Sequence, residues 1–488
     1  MRVINLDGSR MRVLTSTAHG STPVAWSPDG KKIVTILSTE DKTNKITLIS
    51  AVDGSATQLK TTGWRWPRIG GFSPDGRFLV YSLPKSNPSA SDGGIFVIAA
   101  DGSRETAIIP DTANEQDPVW TPDGRAVVFK SDRSGPTGLW SIRIADGKPQ
   151  GSAELLRASI GSIMPLGFSR DGSFFYSTSN RQQDVFSADI DPETLRVVSQ
   201  PSLVTEKFVG SNWGPAWSPD GRSMAFFRAT DNSRSRSIVI RSMATGEERT
   251  LPARVEQGEY VRGYLSPHWF PDSRSLLVWD TADSRWAFRK IDTETGEGRV
   301  VFEGSSRIHP DVRLSPDGKT LYYSLRDGST PSPAVGPLHL MKRNLDTGQE
   351  VELYRAKSTG VSFANLAVSP DGDRLSFLWY LYGPTLLTLS TEGGAPRELY
   401  KGTTVQPGSG AWAGDGRHVL FTSRGDDSQQ FLAISAEGGE LRPLGITMQQ
   451  LLFPAISPDG RRIAFTGIRN KNELWVIHNL LPEMRASR

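Results

Sequence analysis

One phrase recurs ten times along the chain and leaves few folds open. A large apolar residue is followed by Ser-Pro-Asp-Gly or a close variant, at Trp26–Gly30, Phe72–Gly76, Trp120–Gly124, Phe168–Gly172, Trp217–Gly221, Trp269–Ser273, Leu314–Gly318, Val368–Gly372, Trp412–Gly416 and Ile456–Gly460. Measured between their aspartates, from Asp29 to Asp459, neighbouring copies lie 44 to 54 residues apart. Proline presets φ for a turn, aspartate bonds the turn backbone, and glycine tolerates positive φ at the exit. The phrase is therefore a tight hairpin, and the alternating runs after it, such as Ile33–Ile36 and Phe78–Tyr81, read as strands. A second turn follows about half a period later, as at Asp53-Gly54, Asp101-Gly102, Thr245-Gly246 and Thr295-Gly296. Each period thus holds four antiparallel strands, A to D. Radial repetition of such units is a β-propeller. The expected fold is all-β, a β-propeller of about ten four-stranded blades.

The even spacing favours one continuous array over residues 1–488, in one large ring, with two smaller propellers divided near 252–263 as the alternative. The hairpin at Asp459 is followed by one more strand-like run, Leu474–His478, and by no second turn, whereas the N-terminus offers Asp7-Gly8 and Met11–Leu14. A last blade completed by the N-terminal strand is the expectation. Val3–Leu6 is then surplus, either a tolerated extra strand or the end of a longer chain fused to an upstream domain.

The phrase (W/F)SPDG(R/K), with Ser131–Gly135 and Leu139–Ile142 after its third copy, resembles the TolB-type, WD-like propeller repeat of bacteria. The resemblance implies a propeller over nearly the whole chain. It also implies a binding scaffold, the sensor part of a larger envelope or signalling protein, in a periplasmic or extracytoplasmic setting. Other proteins with such repeats make a lyase or hydrolase acting around the channel, or the propeller half of a peptidase, the alternative.

Composition narrows the function further. With 56 Lys and Arg against 53 Asp and Glu the net charge is +3, and no basic patch marks a nucleic-acid partner. Absence of cysteine excludes disulfides, thiolate metal sites and cysteine nucleophiles. No run approaches the roughly 20 apolar residues of a membrane-spanning helix. The start at Met1 does not have the pattern of a secretory signal. No phosphate-cradling or dinucleotide motif and no Gly-x-Ser-x-Gly elbow occurs, so no cofactor and no catalytic residue is nominated.

Irregular connections on a rigid scaffold are where binding residues gather. The D–A connections supply Trp64, Arg65, Trp66 and Arg68, then Asn212 and Trp213, then Tyr260, Arg262 and Tyr264. Aromatic residues and arginine are the types enriched at binding hot spots, and the ligand they suit is a protein, a peptide or a glycan. The competing reading makes these tryptophans core residues at strand starts. No His-x-His or His-Glu-x-x-His spacing occurs, so a metal site would have to be assembled across blades from His19, His268 and His309.

Overall fold

The computed structural model describes residues 1–14, 21–39, 41, 43–85, 93–110, 113–161, 163–229, 235–256, 266–280, 287–303, 308, 311–326, 338–356, 362–380, 384–402 and 404–481. Its repeating element is the turn that the sequence marks. In the first copy the Ser27 hydroxyl donates to Asp29 Oδ1 at 2.6 Å and accepts from the Lys32 amide at 2.9 Å. The same Asp29 oxygen accepts from the Lys31 amide, while the Gly30 amide closes the turn on the Ser27 carbonyl. Gly30 has φ of 69°, a conformation that suits glycine. Identical bonds recur at Ser73–Asp75, Thr121–Asp123 and Ser218–Asp220, each at 2.6 Å. The aspartates therefore cap turns.

Every one of the ten turns joins an A strand to a B strand, and the described residues form eight separate four-stranded antiparallel sheets besides a larger one. The fold is a β-propeller without helices among the described residues. The chain divides into two compact units, Met1–Asn180 with Lys471–Arg488, and Arg181–Asn470. These divisions fall far from 252–263. In the first unit the innermost strands adjoin in series: Ser21–Trp26, Arg68–Phe72, Gln116–Trp120 and Ile163–Phe168. In the second, Asn212–Trp217, His268–Trp269, Arg313–Leu314, Ser362–Val368, Val405–Trp412 and Gln450–Ile456 line one shared channel of about 350 Å³.

Two 16-residue strands, Phe174–Asp189 and Arg462–Ile477, carry the chain from the first unit to the second and back. Within the second unit, Gln450–Ile456 pairs with the first part of Arg462–Ile477, beside which runs 181–189, paired in turn with Ser202–Leu203. Phe186 stacks on Phe465 at 5.8 Å, and the Ile190 amide donates to the Arg461 carbonyl. The last hairpin is thus completed by strands some 250 residues upstream, not by the N-terminal strand as expected. The strand that follows the last turn does not fold back at Gly467 or Asn470: it runs straight on, and its end, 471–477, becomes the third strand beside 174–180 in the first unit. There the Ser173 hydroxyl meets His478 Nδ1 at 2.9 Å. Among the described residues Arg2–Val3 and Arg12–Val13 pair only with each other, and they lie against the C–D turn of the first blade, where Arg12 donates to the Val52 carbonyl.

Blades are held to one another by apolar packing and by the apolar residue of the phrase. The Trp269 indole N–H donates to the Ala216 carbonyl at 3.0 Å, Trp217 to Ala455 at 3.1 Å and Trp412 to Ala367 at 3.3 Å. In each case the acceptor lies one residue before the equivalent apolar position of the preceding blade. Replacing Trp269 by Phe keeps the ring and deletes the bond. Urea unfolding should show a loss of about 1 kcal/mol, with the midpoint moved and the slope unchanged.

The turns also make the fold sensitive to acid. Serine hydroxyls donating to Asp29, Asp171, Asp220, Asp317, Asp371 and Asp459 hold these carboxyls below the ordinary aspartate value. At the second turns Asp53, bonded by Ser50 and Ser55, and Asp292, bonded by backbone amides and Arg274, are lowered to about 2. A lowered folded-state value adds stability that is complete above the unfolded value, about 3.9, and disappears as pH falls through the folded one. Thermal melts should keep Tm level from pH 7 to about pH 5 and lower it steadily between about pH 4 and pH 2; a level Tm down to pH 2 would contradict this account.

Candidate functional site

The clearest exposed aromatic group lies on the D–A face of the first unit. Strand Ala56–Gly63 ends at a glycine with φ of 65°, and the chain turns into Trp64-Arg65-Trp66-Pro67 before Arg68–Phe72 begins. Trp64 and Trp66 are 67% and 47% exposed. Their backbone is nevertheless pinned: Asn44 Nδ2 donates to the Trp64 and Arg65 carbonyls at 3.3 Å, and the Thr62 hydroxyl to the Arg65 carbonyl at 2.8 Å. Arg65 reaches the Pro84 carbonyl of the next blade. The connection presents two indoles at little ordering cost, since the polar anchors beneath them are buried Asn44 and Thr62.

Arg68 leads from this loop into a cleft of about 640 Å³. At its wall Asp117 Oδ1 accepts from Arg68 at 2.8 Å, and Asp117 Oδ2 lies 2.6 Å from Lys130 Nζ, which also donates to the Ile163 carbonyl. Burial opposes ionisation of Asp117, but the hydrogen bonds from Lys130 and Arg68 outweigh it and hold the carboxyl below its ordinary value. Asp117 sits at φ of 49°, a left-handed conformation that aspartate tolerates better than most residues. Other groups on the cleft are uncharged: Asn114, Gln116, Thr137, Ser177, Ser179 and Asn472, with Ile163 and Met164 as apolar floor. Asn114 and Gln116 are already mutually bonded at 2.6 Å. The arrangement offers amides and hydroxyls next to a cluster in which two cations share one carboxylate, leaving a single net positive charge.

The structure treats the other candidates differently. Asn212 and Trp213 are not in a connection; they open strand Asn212–Trp217 in the second unit and are 0% and 3% exposed. Asn212 Nδ2 donates to Asp184 Oδ1 at 3.0 Å, its Oδ1 accepts from Arg228 Nε at 2.8 Å, and Arg228 pairs with Glu248 at 2.8 Å. Burial pushes Asp184 up, against the bonds from Asn212 and Gly210. Trp213 packs on Phe227 with the Arg236 guanidinium over its ring. Both residues are core, which corrects their assignment as surface contacts. Tyr260, Arg262 and Tyr264 lie outside the described residues, as do His19 and His309. His268 lines the channel of the second unit, where its Nε2 faces Arg313 Nη1 at 3.3 Å and Arg313 pairs with Asp311 at 2.6 Å. Burial, and then the Arg313 charge, hold His268 well below the ordinary histidine range. A ring nitrogen turned on a guanidinium is a poor metal ligand. Among the described residues no group of three or more His, Asp or Glu is placed to hold a metal ion.

Residues 1–206 match the family model of the TolB β-propeller domain. Over that stretch the chain is a TolB-like β-propeller. Similar solved structures include a protein described as TolB from Agrobacterium tumefaciens, 16% identical over 59% of this chain and 99% of that one, with a TM-score of 0.43. TolB from Acinetobacter baumannii is 14% identical over 74% and 81%, at 0.41, and the tricorn protease 12% identical over 97% and 60%, at 0.37.

Sequence reasoning missed Asp117, Lys130 and the neutral lining of the cleft. A signal existed for one of them: in this TolB-like repeat Asp117 stands three residues before Trp120, and Arg68 four before Phe72, so both belong to the start of an A strand. Lys130, Ser177 and Ser179 come from B strands, for which no site was sought. The buried and the exposed candidates separate experimentally. Asn212→Ala leaves Asp184 and Arg228 each short of a buried bond and should cost roughly 2–4 kcal/mol in chemical denaturation, whereas Trp64→Ala should stay within about 0.5 kcal/mol of wild type.

Proposed function

We propose that this TolB-like chain is a non-enzymatic binding scaffold, and that its ligand, a polar peptide or a glycan, docks on the D–A face of the first unit. One observation carries the reading: exposed indoles on a backbone anchored from below, next to a cleft lined mainly by amides and hydroxyls. Pinned aromatic surface gives contact area without ordering cost. Amide and hydroxyl side chains orient a polar ligand, while Asp117 ties Arg68 and Lys130 into the wall and leaves one net positive charge there. The alternative, a lyase or hydrolase built on histidine and carboxylates around a channel, has less behind it, because His268 faces Arg313.

The test is a screen of the labelled chain against glycan and peptide arrays, followed by affinities for the hits. Trp64→Ala combined with Arg65→Ala should weaken binding by about tenfold or more, which is about 1.4 kcal/mol, with an unchanged circular-dichroism spectrum. Unaltered affinity would remove this loop from the site. Mass-spectrometric detection of a cleaved or eliminated product from a bound glycan would overturn the non-enzymatic reading.

A further inference from the structure

Trp26 breaks a pattern that its equivalents obey. At the same position of the phrase, Trp120, Trp217 and Trp412 are 5–7% exposed, covered by the preceding blade, while Trp26 is 50% exposed. Val24, two residues earlier on the same strand, is also exposed. Strand Ser21–Trp26 begins the series of inner strands in the first unit, so this face is the leading face of that series.

The opposite end of the same series is uncovered as well. On strands Ile163–Phe168, 174–180 and 471–477 the residues alternate: Phe174 and Ile477 turn toward Val119 and Val128 of the preceding blade, whereas Leu474 and Val476 point away and are 67% and 40% exposed. Leu166 is exposed beside them. This trailing face is the surface on which a following blade would sit. Gly167, one residue before Phe168, holds the slot whose carbonyl accepts an indole bond at Ala216, Ala367 and Ala455.

We propose that the leading face of one copy docks on the trailing face of a second copy of this chain, reproducing the blade-to-blade joint in trans, with Trp26 donating to the partner's Gly167 carbonyl. One unit carries both halves of the joint, at the sequence positions that three joints of the second unit use. The pairing is head to tail, so the two faces are different surfaces and can be disabled separately. It uses none of Trp64, Arg65 or Arg68 and stands or falls independently of the binding reading above.

Sedimentation velocity of the whole chain over a wide concentration range tests it. Wild type should pass from monomer to dimer or longer species as concentration rises. Trp26→Ser and Leu474→Lys should each associate about tenfold more weakly or not at all, while an equimolar mixture of the two should recover a dimer and nothing larger, because each contributes one intact face. Circular dichroism checks folding, and Val24→Lys replaces Trp26→Ser if that variant does not fold. A wild type that stays monomeric throughout, association that both variants leave intact, or a mixture that does not recover would each overturn the proposal.

Discussion

A four-stranded blade has two apolar faces and no means of burying either one alone. Most of this structure follows from that constraint. It explains why the repeat's most constant bulky position, directly before the Ser-Pro-Asp-Gly turn, serves the neighbouring blade more than its own: Trp217, Trp269 and Trp412 spend their indole N–H groups on carbonyls one blade away. It also explains the route of the chain through the second unit. The strand after the last hairpin runs on into the first unit, and 181–189 with Ser202–Leu203 completes the blade instead. Closure of that unit therefore depends on one of the longest-range pairings in the molecule, and the strand that provides it began as the second strand of a blade in the first unit.

The turns were legible because their chemistry is local. Ser-Pro-Asp-Gly specifies its own hydrogen bonds within six residues, so ten hairpins and the four-strand period could be read without knowing what lies beside them. The partner of a long strand is not local information. Leu474–His478 has the alternation of a third strand wherever it is placed, and nothing in its composition distinguishes pairing with 174–180 from pairing with its own hairpin. The N-terminal hairpin failed as a closing strand for the same reason.

Trp64 and Trp213 show a finer limit. Both looked like aromatic anchors between strands D and A, yet one is a surface residue and the other core. Position relative to the turn separates them: Trp64 stands eight residues before Phe72, still outside the strand, whereas Trp213 stands four before Trp217, within it. Counting back from the turn, rather than forward from the previous strand, would have assigned each correctly. Residue type suggested contact; register decided which surface the side chain could reach.

The two units use charge in opposite ways on similar strands. At the start of Asn212–Trp217 the buried chain Asp184–Asn212–Arg228–Glu248 joins four strands of the second unit, and every member is spent on another. Such a network stabilises only while complete, since removing one link strands a buried charge. At the corresponding end of Gln116–Trp120 the triad Arg68–Asp117–Lys130 is only partly buried, and it opens onto amides and hydroxyls. Two cations share its one carboxylate, its backbone is left-handed at Asp117, and amide and hydroxyl side chains line the cleft beside it. The strand start that is spent on core bonds in the second unit stays open to the cleft in the first, and the difference lies in which polar groups the adjacent B strand brings.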